Sequence, residues 1–218
     1  MGSWAGSREV HEVIVTISRA YGSAANAVAA ELAIRLDYRV VADQLPRVIA
    51  ERLGSSTGMV EGIEATTPPL GERLLRALVA VPEMGIAVAA PTDAYTSAYR
   101  HEIEQLVREE AERGDAIIIG RAASVILGRR PDVLSVFLSA PLEWRTQHVA
   151  ESLAISLAKA SAEIARIDKA RRAYTRDQYK LTWGDRRNYD LVLDTARFGI
   201  DGVAELIAAA VQLAQVAP

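Results

Sequence analysis

Short apolar runs, each followed by a stretch with helical spacing, constrain this chain more than any other feature. They are Val13 to Ser18, Ala116 to Gly120, Val133 to Ala140 and Asp190 to Thr195, with a shorter fifth run from Arg39 to Asp43. Continuous apolar runs of this length, bounded by turn residues, read as strands buried on both faces. An alanine-rich helix follows the first run, with Val28, Leu32 and Leu36 on one side. Tyr99 to Arg113 carries Ile103, Leu106, Val107 and Ala111 inward, and Gly114 stops it. Further helices are expected around 142–152, as two pieces within 155–180, and from Ile200 to Gln215. Strands separated by helices cannot pair as hairpins. The order therefore predicts an α/β fold of three layers, a mostly parallel sheet covered on both faces.

Two stretches interrupt this alternation. Residues 44–98 read as helical segments around 44–53 and 57–65, then a Pro68-Pro69 turn that opens a helix with Leu70, Leu74, Leu75 and Leu78 on one face. Ile86 to Ala90 fits either a strand or a packed loop. Residues 153–189 form the second interruption. Both read as elements grafted on the sheet. A chain of 218 residues suits one core better than two, and no repeat or linker divides it, so 1–218 is read as a single domain. Residues 1–12 are expected to be flexible.

Several function classes are excluded. There are no cysteines, so disulfides, thiolate catalysis and cysteine-held metals are ruled out. A net charge of −3 argues against binding a nucleic acid polymer. No apolar run reaches the ~18–20 residues that span a bilayer, and Met1 to Gly6 resembles neither a signal peptide nor a myristoylation site. The expectation is a cytoplasmic protein with no membrane partner. The alanine-rich helices at 153–165 and 200–215 can pack in the core or against another copy, which leaves a homodimer open. His11 and His101 are too isolated for a metal site, and no metal ligand is assigned.

Ligands of open parallel sheets bind beyond the carboxyl ends of the strands. Here those ends carry Ser18-Arg19, Asp43, Gly120-Arg121 and Asp194-Thr195, with Arg197 just beyond. Basic residues also crowd a late segment: Arg166, Lys169, Arg171, Arg172, Arg176, Lys180, Arg186 and Arg187. They form either a solvated helical face or a collar around an anion. The turn between the first strand and helix reads Arg19-Ala20-Tyr21-Gly22-Ser23-Ala24-Ala25-Asn26. A helix N-terminus offers free N–H groups to phosphate. A full phosphate loop, G-x-x-x-x-G-K-[ST], would place glycine where Arg19 and Ala24 stand, lysine at Ala25 and a hydroxyl at Asn26. By that motif alone an ordinary strand–helix turn is the better reading.

The ordered set of segments nevertheless resembles the cytidylate kinase-like family of phosphate-loop nucleoside-phosphate kinases. Thr16 to Ser23 resembles its altered phosphate loop, S-R-x-x-G-S-G-G, which itself lacks the usual lysine. Gly120-Arg121-Ala122-Ala123 resembles its G-R-G-A segment. Val133 to Arg145 resembles a strand and the helix after it. Asp168 to Arg172 and Trp183-Gly184-Asp185 resemble its lid, and Asn188 to Thr195 its final strand.

The resemblance implies a kinase core with an acceptor-binding insertion at 44–98 and a lid at 153–189, using ATP and Mg²⁺ and phosphorylating CMP, dCMP or a related small acceptor. It implies that Ser18, Arg19, Gly22, Ser23, Ala24, Ala25 and Asn26 meet donor phosphates. It places Asp43 and Arg121 at the acceptor, and Arg171, Arg172 and Arg176 over the transferring group. Ala24 and Ala25 replace the family's flexible Gly-Gly, and Arg19 is the candidate to supply the missing positive charge. The alternative is a catalytically impaired nucleotide-binding or regulatory protein on the same fold. Arg145 reads equally as an internal ion-pair residue, and Trp183, Tyr99 and Tyr174 as packing residues.

Overall fold

Among the described residues five strands join in one sheet, the three central ones apolar and buried on both faces and the two edge strands partly exposed. In a computed structural model, described for residues 13–41, 52 and 93–215, β1 (Ile14–Arg19), β2 (Arg39–Val41), β3 (Ala116–Ile119), β4 (Val133–Ser139) and β5 (Leu191–Asp194) lie in the order β2-β3-β1-β4-β5. Every pairing is parallel; β1 lies against β3 through Val15 and Ile117 and against β4 through Val15 and Leu134. The expected three-layer α/β arrangement is the one found.

The helices are α1 (Ala25–Leu36), α2 (Asp93–Glu112), the short α3 (Ala123–Leu127), α4 (Leu142–Leu153), α5 (Leu157–Tyr179) and α6 (Thr195–Gln215). Alternation along β1 sends Val13, Val15 and Ile17 to one face, where they meet Val28, Ala29 and Leu32 of α1 and Val203, Ala204 and Ile207 of α6. Ile14 faces the other way and joins Tyr99, Ile103, Leu106 and Val107 of α2 and Ala123 of α3. A third cluster, Val149 and Ala150 of α4 with Ala160 and Ile164 of α5, lies apart from both. It receives the side chain of Tyr21 from the turn after β1.

Some expected boundaries change. The region 155–180 holds one helix, α5, rather than two, because no glycine or proline interrupts Leu157 to Tyr179. A short helical turn begins at Thr195, ahead of the expected start; non-helical Gly199 ends it, and Ile200 to Gln215 is the closing helix as expected. Asp194 explains the early start: its Oδ1 accepts from the N–H of Ala196 at 2.9 Å and of Arg197 at 3.2 Å. Asp43, the residues before 13 and the elements expected between 44 and 92 lie outside the described residues, except Arg52. Among the described residues, no helix is long and apolar enough to cross a membrane.

Candidate functional site

β1 and β3 are neighbours, but the chain leaves their carboxyl ends in opposite directions. From β1 it passes to α1 on one face of the sheet, and from β3 to α3 on the other. Such a divergence opens a crevice that backbone cannot fill. A cleft of about 230 Å³ occupies this place. Ser18 and Arg19 end one strand beside it, Gly120 and Arg121 the other; Ser124 of α3, Tyr99 and Ile103 of α2 and Ala170, Arg171, Tyr174 and Thr175 of α5 complete much of the wall. Trp183 and Tyr189 close one side, with Trp183 edge-on to Phe137 at 5.4 Å between ring centres. Three arginines stand among its described lining residues.

Each arginine is placed by a different device. Arg121 sits at the second position of a turn closed by the Ala123 N–H on the Gly120 carbonyl at 2.9 Å. Arg121 and Ala122 both adopt the left-handed region, φ 55° and 54°. That conformation costs a non-glycine residue roughly 1–3 kcal/mol, and the tight turn presents the Arg121 guanidinium at the rim. Arg19 continues from β1 and lays its guanidinium over Gly120, where an added methyl group would overlap it. Gly120 also turns with φ 74°, a conformation that favours glycine. Arg171 reaches down from α5, donates through Nη1 to the Arg19 carbonyl at 2.9 Å and lies over the Tyr21 ring at 5.7 Å. Burial pulls its pKa below the ordinary arginine value, against the attraction of Asp168 and Tyr21. The shift measures desolvation that its protein partners do not fully offset; the guanidinium stays charged. Burial also pushes the Tyr174 phenol up, with Arg121 among the opposing charges.

The phosphate-loop-like turn borders this cleft on the α1 side. Gly22 turns with φ 82° and packs so closely under α4 that an added methyl would come within 2.7 Å of Val149 Cγ2. Ala24, at the position of the motif's second glycine, is left-handed with φ 55° and ψ 24°. The chain thus keeps the glycine-like backbone without the glycine. No side chain caps α1, and its first turn holds no acidic residue, so the N–H groups at its start are left for solvent or an anion. The Ser23 hydroxyl is buried and has no hydrogen-bond partner among the described residues. Asn26 lies exposed on the first turn. Ala24→Gly trades roughly 1–2 kcal/mol of left-handed strain against roughly 0.5–1 kcal/mol of backbone entropy. A net gain of about 0.5 kcal/mol in chemical denaturation is expected.

The other candidates fall elsewhere. Arg172 is exposed and stands over the Trp183 ring at 5.9 Å, on the outer side of the cleft wall. Arg176 is exposed and pairs with its neighbour Asp177 at 2.7 Å. Asp194 is spent on capping α6. Arg145 is an internal ion-pair residue: its Nη1 meets Asp168 Oδ2 at 2.8 Å and the Tyr21 carbonyl at 3.0 Å. The other oxygen of Asp168, Oδ1, accepts from the Tyr21 N–H, 147 residues away, at 2.9 Å. Nothing local in the sequence marks Arg145, Asp168 and Tyr21 as neighbours. Among the described residues, no group of His, Asp or Glu side chains gathers as a metal cage.

Comparisons with known proteins bear on the family and the fold. The model of the cytidylate kinase-like family matches residues 14–197. The cytidylate kinase of Ignicoccus hospitalis is 30% identical over 195 residues, 89% of this chain and 96% of that protein. That of Methanopyrus kandleri is 34% identical over 118 residues, half of this chain and 61% of that protein. Several matches have this shorter form, so the chain spans little more than half the length of many curated relatives it matches. Among solved structures, an uncharacterized protein from Eubacterium ventriosum superposes with a TM-score of 0.65 at 20% identity, covering 93% of this chain and 99% of that one. The shikimate kinase of Bacteroides thetaiotaomicron does so with 0.51 at 12% identity, covering 92% and 98%. At these identities both likenesses concern the fold.

Proposed function

This chain belongs to the cytidylate kinase-like family, and from that premise we propose that it transfers the γ-phosphate of ATP to CMP, dCMP or a related small acceptor. The observation that carries the proposal is the cleft wall, whose described residues bring three arginines together at the point where β1 and β3 diverge. Phosphoryl transfer asks a protein mainly to position two reactants and neutralise charge on the moving group. Of Arg171's five N–H donors, one is used by the Arg19 carbonyl, so most remain for phosphate oxygens.

The residues present fit a nucleoside triphosphate beside this cleft. The uncapped start of α1 and the turn from Gly22 to Asn26 would receive donor phosphates, and Ser23 would gain the acceptor that its buried hydroxyl lacks. Arg19 would bridge the turn and the cleft. Arg121, held at the rim by its left-handed turn, would grip the acceptor phosphate in two-pronged fashion. Asn26, exposed on the first turn of α1, would be the residue to hold Mg²⁺, through water, and the ion would offset negative charge on the donor. The cleft is smaller than the roughly 300–1,000 Å³ of ordinary ligand pockets. A cytoplasmic setting is part of the same proposal.

One observation favours the alternative of a nucleotide-binding protein without turnover. Ala24 and Ala25 put methyl groups where the family's Gly-Gly lets backbone approach phosphate. ADP release from Mg-ATP, measured across a panel of nucleoside monophosphates, separates the two. Turnover with a pyrimidine monophosphate is expected; ATP binding without turnover on any acceptor would replace the kinase reading by the binding one. In the same assay Arg121→Ala is expected to raise the KM of the acceptor about tenfold or more, the worth of a charge-assisted contact, and to leave the KM of ATP within about twofold. An unchanged acceptor KM would remove Arg121 from the acceptor site.

A further inference from the structure

The turn from β1 to α1 is gripped from outside. Tyr21 gives both of its backbone groups to one ion pair: its N–H donates to Asp168 Oδ1 at 2.9 Å, and its carbonyl accepts from Arg145 Nη1 at 3.0 Å. The pair closes on itself at 2.8 Å, and both members are nearly buried, with side chains 13% and 8% exposed. Arg145 is itself anchored, since its Nε donates to the Ala140 carbonyl just beyond β4 at 3.0 Å. The Tyr21 ring packs on Val149, Ala150, Ala160 and Ile164, and Arg171 covers it. Gly22 lies against Val149 and the Arg145 carbonyl. α4 and α5 therefore hold the loop through two backbone hydrogen bonds, a partly buried ring and a close glycine contact.

We infer that Arg145 and Asp168 are positioning residues for the donor phosphates, setting the shape of a loop that lacks both the lysine and the paired glycines. Rigid placement of N–H groups is what such a loop contributes to binding. Here the shape is imposed from the α4–α5 hairpin, so the base of the lid-like segment and the loop form one unit. Any opening movement must take place beyond Arg171, toward the end of α5, or carry the loop along. A buried pair of this kind costs desolvation and is weak evidence for stability alone, which leaves room for a positioning role. Lysine at 145 would keep the charge but could not reach the Ala140 carbonyl, the Tyr21 carbonyl and Asp168 at once. Asparagine at 168 would offer one acceptor where two are used.

This inference rests on the nucleotide reading for its functional half, so the test has two arms. The first is amide hydrogen exchange of residues 20–26 in the full chain without nucleotide, comparing wild type with Arg145→Lys, Asp168→Asn and the milder Asp168→Glu. Exchange at Tyr21 is expected to rise about tenfold or more in the first two, with exchange in β1 and β4 unchanged. The second arm is steady-state kinetics: the KM of ATP should rise about tenfold while the acceptor KM stays within about twofold. A merely structural role would lower the amount of active protein and move neither KM. Unchanged exchange at Tyr21 overturns the clamp whether or not the protein turns over. Local exchange that rises while the ATP KM stays put, or both KM values moving together, overturns the positioning role. A wild type that binds no ATP removes the kinase proposal and the donor half of this one, and the exchange arm still judges the clamp.

Discussion

Replacing Arg171 by alanine is expected to lower kcat/KM for phosphoryl transfer about 10³-fold, the scale on which an arginine facing the transferring phosphate acts. The expectation follows from placement. Arg171 enters the cleft from α5, fixed by the Arg19 carbonyl on one side and the Tyr21 ring on the other. Its side chain therefore has little rotamer freedom left to lose when phosphate arrives. Burial has stripped its hydration, as its lowered pKa records, so phosphate oxygens would meet a poorly screened charge. Lysine at 171 would keep the charge and lose the planar fork that stacks on Tyr21 and bonds Arg19 together, so Arg171→Lys should recover only part of the loss. The controls come from the same helix. Arg176 pairs with Asp177 in solvent, and Arg176→Ala should change kcat/KM less than about threefold, in keeping with the small worth of exposed ion pairs. Initial rates at saturating Mg-ATP measure both. Equal damage from Arg171→Ala and Arg176→Ala would sink the assignment of the transfer role to Arg171 on this geometry.

What could be read from residues alone divides by the range over which the information acts. Strands such as β1 and β4 were legible because burial on both faces leaves a continuous apolar run, and the turn at Gly22-Ser23 because a glycine between strand and helix marks it. The length of α5 is not legible, since its alanine and charged residues give no sharp apolar face to count, and only the lack of a breaker from Leu157 to Tyr179 favours the single helix found. Strand-end residues were legible as a set but not in their individual roles. Asp194 and Arg121 look alike as charged residues after a strand. Only backbone geometry shows that one caps α6 and the other is turned to the cleft rim by two left-handed residues. A Gly-Arg-Ala-Ala stretch carries no mark of such a turn, because arginine and alanine rarely adopt it. The grip on Tyr21 was invisible for a different reason. Its partners come from helices more than 120 residues later, and a single sequence holds no record of contacts at that distance.

The missing lysine gives the second large effect. Arg19→Ala is expected to lower kcat/KM for ATP about 10²-fold, the loss that follows removal of one preorganised charged donor. Arg19 stands at the motif's first glycine, not at its lysine, so it can replace the lysine only if its guanidinium enters the cleft. It does: the side chain crosses the end of β3 and lies on Gly120. Its backbone carbonyl meanwhile holds Arg171, and that contact survives any side-chain change at 19. Truncation there therefore removes one charge without releasing the other. Arg19→Met keeps the bulk over Gly120 and discards the charge, and it should fall with alanine; Arg19→Lys should retain part of the activity. Gly120→Ala attacks the same contact from the opposite side. A methyl at 120 must displace the guanidinium, and the positive φ of 74° adds strain of roughly 1–2 kcal/mol. Its kcat/KM should fall with that of Arg19→Ala, and the double variant should lose little more than either alone, because both changes remove one interaction. Additive losses would mean that Gly120 matters for the turn carrying Arg121 and not for Arg19. Full activity in Arg19→Met would show that bulk, not charge, is what position 19 supplies, and the lysine's task would then fall to Arg171.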